Sequence, residues 1–101
     1  MNTNIPAFIA RFERDMQFDS HSNLTKIARS DAAEALYKYG KKALPFIVDH
    51  LEQNPPNEQL ELHTCWGMLL NNIAVKLNIW EKPTTYEDTE GWIAWAKKET
   101  A

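Results

Sequence analysis

The sequence predicts an all-α fold, and three observations carry that reading. Apolar residues recur at the helical period along most of the 101-residue chain, and period-2 alternation never persists over a useful length. Only three glycines occur, at positions 40, 67 and 91, and no Asn-Gly or Asp-Gly hairpin turn is present. Proline and short polar clusters fall at intervals that divide the chain into helices of ordinary length.

Five helices follow in order. The first is expected over about Ile5 to Met16, where Ile5, Phe8, Ile9, Phe12 and Met16 form one stripe and Arg11, Glu13, Arg14 and Asp15 lie off it. Pro6 sits in the first turn, where a missing N–H costs nothing. Asp19 to Asn23 is a polar loop offering several N-caps. The second helix is expected from about Asn23 to Tyr39, with Leu24, Ile27, Ala28, Ala32, Ala35, Leu36 and Tyr39 facing inward. Its small residues allow a neighbouring helix to approach closely. Glu34 and Lys38 stand four apart in the favourable order, and Gly40 supplies the left-handed position that ends the helix.

The third helix is expected over about Lys42 to Gln53, with Leu44, Ile47, Val48 and Leu51 inward. Asn54-Pro55-Pro56 is the firmest break in the chain, because two successive prolines cannot continue a helix. The fourth, from about Asn57 to Asn78, carries the stripe Leu62, Trp66, Leu69, Leu70, Ile73 and Leu77. A turn at Glu81 to Thr85 precedes the last helix, about Tyr86 to Lys98, which carries Trp92, Ile93, Trp95 and Ala96.

Composition bounds what such a chain does. With 44% apolar, 25% charged and 11% aromatic residues it has ordinary globular chemistry and material for one modest core, a single domain over 1–101. It is too small for a walled, multi-element active site. Eleven basic residues against fourteen acidic give a net charge of −3. Residues 1–42 hold seven basic and five acidic side chains, and residues 43–101 hold four and nine. Neither half carries the field of a general nucleic-acid binder. One cysteine, Cys65, forms no internal disulfide, and the first residues show no signal-peptide pattern. Apolar runs such as Trp66–Leu70 fall far short of the roughly 20 residues a bilayer needs. Together these point to a cytoplasmic protein without membrane contact.

Ala28-Arg29-Ser30-Asp31-Ala32-Ala33-Glu34-Ala35-Leu36, the turn at Gly40, and Ala43-Leu44-Pro45-Phe46-Ile47-Val48-Asp49-His50-Leu51 resemble a HEAT/armadillo-like helical repeat. The resemblance is clearest over residues 28–51. It implies a short α-α superhelix of about five helices, A-B-A-B-A, and a general-purpose binding scaffold. The sequence departs from the pattern at Trp66, where such repeats carry a small residue.

Chemistry is sparse by comparison. His63 and Cys65, two apart on a helix, point about 160° from one another and cannot clasp one ion. His21 and His50 have no ligand partners at helical spacing, so no metal site is expected. Cys65 with a histidine from another helix is the only candidate nucleophile pair and no local sequence supports it, isolated glycines make no phosphate-cradling loop, and Glu87, Asp88 and Glu90 sit where acids complement a helix start. No catalytic residue and no cofactor is expected. Opposite the main stripe of the fourth helix, Thr64, Met68, Asn71 and Val75 form a second, partly apolar stripe. Trp80 is the aromatic least accounted for by a core.

The expected function is a small non-enzymatic protein-interaction module, a binder or inhibitor of another protein, using Lys26, Arg29, Tyr37, Thr64, Met68, Asn71 and Trp80. Two alternatives stand beside it. One is a nucleic-acid accessory protein using a strip of Arg11, Arg14, Lys26, Arg29, Lys38, Lys41 and Lys42. The other is an enzyme whose site forms at an oligomer interface; the sequence leaves the oligomeric state open.

Overall fold

The computed structural model describes residues 4–56 and 59–101, and among them every regular element is helical. The order is α1 (Ile5–Phe18), α2 (Asn23–Arg29), α3 (Asp31–Tyr39), a 3-10 turn (Gly40–Ala43), α4 (Leu44–Gln53), α5 (Leu60–Lys76) and α6 (Thr89–Glu99). These are the five expected rods, with the second one broken. The start expected for the fourth rod, at Asn57, lies outside the described residues. No described helix is long and apolar enough to cross a membrane.

The break falls at Ser30, which is extended (φ −86°, ψ 117°) and serves two helices at once, ending α2 and capping α3. Its hydroxyl oxygen accepts from the Ala33 N–H at 3.1 Å and its O–H donates to the Asp15 carboxylate of α1 at 2.8 Å. A serine that bonds across to another helix offers the backbone an alternative to continuing the rod. The break resets the helical phase. Leu24 and Ala28, expected inside, lie exposed, and Ala33 turns inward with Ala32 and Leu36.

Gly40 has φ +60° and ends α3 as expected, a conformation that only glycine adopts without strain. At the end of α5 the same task falls to Asn78 (φ 62°). The Asn78 N–H donates to the Val75 carbonyl at 3.0 Å and the Ile79 N–H to the Ala74 carbonyl at 2.9 Å, the paired bonds of a Schellman motif. α5 therefore stops before Asn78, and α6 starts at Thr89 rather than Tyr86 because the Asp88 side chain accepts from the Gly91 N–H at 3.0 Å.

One apolar core runs through all six helices. α1 packs against α2, α3, α4 and α5, and α6 against α4 and α5. From α5 the Trp66 ring reaches both α1 and α4. It lies 4.5 Å from the Phe12 ring of α1 and 6.0 Å from the His50 ring of α4. That is the physical reason for the large residue at this position. The radius of gyration is 12.3 Å and the extents are 35 × 34 × 26 Å, against about 13 Å for a fully compact chain of this length. No repeating helical pair is identified among the described residues. The linker between α5 and α6 crosses α5 at Gly67, where an added Cβ would stand 1.9 Å from the Tyr86 carbonyl oxygen.

Candidate functional site

The broken rod and α5 flank an open, shallow groove of about 510 Å³ lined by Ile27, Ala28, Ala33, Glu34, Tyr37, Leu69, Asn72 and Val75. Ile27, Ala33 and Leu69 are buried and form its floor, while Ala28, Glu34, Tyr37, Asn72 and Val75 are exposed and form its rim. The groove exists because α2 and α3 offer alanines here. Small side chains opposite Leu69 and Val75 leave space that larger ones would fill. Its volume falls within the range of ordinary ligand pockets, roughly 300–1,000 Å³.

At the Tyr37 end the groove meets a cluster of lysines. The Lys76 ammonium donates to the Tyr37 carbonyl at 2.8 Å and to the Lys38 carbonyl at 3.2 Å, and sits 4.7 Å from the centre of the Tyr37 ring. It thereby satisfies carbonyls left open at the end of α3 and complements that helix's negative pole. Lys41 and Lys42 follow in the 3-10 turn, exposed. Lys38 is exposed and pairs with Glu34 at 3.6 Å.

A second cleft, on the α1 side, is lined by Arg11, Arg14, Asp15, Phe18, Asp19, Lys26, Arg29, Ser30 and Asp31. Its charges alternate. Asp19 accepts from the His21 backbone N–H at 2.9 Å and from the His21 ring at 2.6 Å, and Arg29 stands 3.3 Å from its other oxygen. The His21 backbone bond, then the ring bond, with a smaller contribution from Arg29, holds the Asp19 carboxyl below the usual carboxylate range.

The expected site residues are dispersed. Lys26 is a correction: it is only 2% exposed, and its ammonium donates to the Met16 carbonyl at 2.9 Å near the end of α1, with Glu61 at 3.8 Å. The phase reset turns it inward, where it caps α1 instead of facing a partner. Arg29 belongs to the charged cleft and Tyr37 to the groove. The second stripe of α5 divides. Thr64, Met68 and Asn71 are half-buried, Met68 packs against the core, and Val75 stands on the groove rim. Asn72 rather than Asn71 lines the groove, one residue and about 100° round the helix. Trp80, 70% exposed, follows the Schellman turn and lies in the linker to α6. The hydrophobic pattern marks Ile27 and Leu69 only as core and does not single out Ala33, since a groove floor and a core position look alike in such a pattern.

Several further polar side chains tie helices to one another. The Glu13 carboxylate accepts from the Trp66 indole N–H at 2.8 Å and is hydrogen-bonded to His50 Nε2 at 2.9 Å. His63 Nδ1 and Thr89 Oγ1 are hydrogen-bonded, joining α5 to the start of α6. Burial pushes the Cys65 thiol up and keeps it un-ionised. Among the described residues no group of three His, Cys, Asp or Glu side chains is placed to hold a metal ion.

No protein-family model, curated protein or solved structure matches this chain.

Proposed function

We propose that this chain is a small non-enzymatic protein-interaction module, a binder or inhibitor that receives a helical segment of another protein in the groove between α2, α3 and α5. One observation carries the reading: a concave surface with a buried apolar floor and an exposed rim that includes Tyr37 and Val75. A groove of this kind fits the helix-in-groove mode, in which apolar side chains spaced three and four apart enter a trough. Ala28 and Ala33 favour it because small residues let a second helix approach closely. The likeness of residues 28–51 to a HEAT/armadillo-like repeat supports the same scaffold role.

Quantitative capture from the source cells with three forms of the protein tests the proposal. Ala28→Leu fills the groove and Val75→Asp places a charge on its rim, both at exposed positions. The captured partner is expected to be lost with either variant while circular dichroism remains that of the parent. Capture unchanged in both overturns the groove as the binding surface.

A further inference from the structure

We infer that the segment received by this groove is acidic at one end, and that the lysines around the turn between α3 and α4 recognise it. The inference rests on the groove reading above and gives the partner its charge.

The fold, rather than the sequence order, assembles the basic corner. Lys38, Lys41 and Lys42 are neighbours along the chain, but Lys76 arrives from the far end of α5. Its ammonium lies within hydrogen-bond distance of the Tyr37 and Lys38 carbonyls, and 3.7 Å from where a Cβ on Gly40 would stand. Four lysines therefore surround one turn, all on exposed residues, in a chain whose net charge is −3. Glu34, paired with Lys38, is the carboxylate shown against this group. Tyr37 belongs to both features: its ring lines the groove and lies under the Lys76 ammonium. A trough with an apolar floor, and with Glu34 and Asn72 on its rim, thus lies beside a positive corner. The complementary ligand is an amphipathic helix whose apolar stripe lies against Ala28, Tyr37 and Val75, the exposed apolar residues of the groove, and whose Asp or Glu residues meet the lysines.

A peptide fits these features better than a nucleic acid. The corner is compact and adjoins an apolar floor, whereas a phosphate backbone requires a continued basic track. The other basic residues of the first half do not extend it. Arg11, Arg14 and Arg29 line the α1-side cleft together with Asp15, Asp19 and Asp31, and Lys26 is buried.

The test is selection from a displayed library of helical peptides of about five turns, with a fixed apolar stripe and randomised flanks, against the parent, Val75→Asp and the double variant Lys41→Glu/Lys42→Glu. Circular dichroism confirms that each is folded. The expected result is enrichment of peptides rich in Asp and Glu, an affinity about tenfold or more weaker with the double variant, and loss of binding with Val75→Asp. Enriched peptides without acidic excess, bound equally by the double variant but not by Val75→Asp, overturn the charge assignment and leave the groove standing. No enrichment, or enrichment indifferent to Val75→Asp, overturns the groove reading and this inference with it. Duplex DNA retained by the parent, lost in the lysine variant and unaffected by Val75→Asp, with no peptide enriched, assigns the corner to nucleic acid and overturns the proposal.

Discussion

The two flanks of α5 are built by opposite means. On the flank facing α1 and α4, Trp66 fills the space between the helices, with its ring against Phe12 and beside His50 and its indole N–H on Glu13. On the flank facing α2 and α3, alanines stand opposite Leu69 and Val75, and space is left. One helix presents a sealed side and an open side, and the difference comes down to side-chain volume at a few positions. Sealing stabilises the fold. Leaving alanines in place forgoes that stabilisation and keeps the groove open.

The largest effect expected from breaking this contrast is at Trp66. Trp66→Ala opens the sealed side, and chemical denaturation is expected to show a loss of about 3–5 kcal/mol, a large part of the total stability of a domain this size. A smaller loss is expected from Gly67→Ala, which drives a methyl into the Tyr86 carbonyl on the linker. Backbone cannot yield there as a flexible side chain would, and a cost of about 3 kcal/mol is expected in the same denaturation measurement. The linker should also become more protease-sensitive in that variant. The smallest effect concerns the loop between α1 and α2. Because folding lowers the Asp19 pKa, this carboxylate stabilises the protein above its unfolded-state value, and the contribution fades as pH falls through the folded value. Asp19→Asn is therefore expected to be less stable than the parent at neutral pH. The gap closes in acid, below the ordinary carboxylate range. A gap independent of pH would mean that Asp19 acts through something other than its charge.

Much of this architecture is legible in the sequence. The apolar stripes of the first, third and fourth rods, the stop at Gly40, the break at Asn54-Pro55-Pro56 and the enclosure of Trp66, Trp92 and Trp95 follow from period and turn chemistry. The break at Ser30 does not follow from hydrophobic period, since the helical spacing runs through it. A charge signal is nonetheless present: Lys26 and Arg29 before Ser30, and Asp31 and Glu34 after it, are the basic last turn and acidic first turn of two abutting helices. Missing that break shifts the phase of α2, and with it the faces assigned to Leu24, Lys26 and Ala28. The burial of Lys26 is illegible for a further reason. Its acceptor, the Met16 carbonyl, belongs to another helix and only the folded chain brings it within reach. The groove is likewise a tertiary object, made from residues that separately read as core or surface.

Trp80 gives the molecule an optical property of its own. Three indoles are enclosed and this one stands in water, so emission divides into a population that acrylamide or iodide reaches and a population sheltered until the chain unfolds. Quenching therefore separates local events in the stretch between the last two helices from global collapse, within one unlabelled sample.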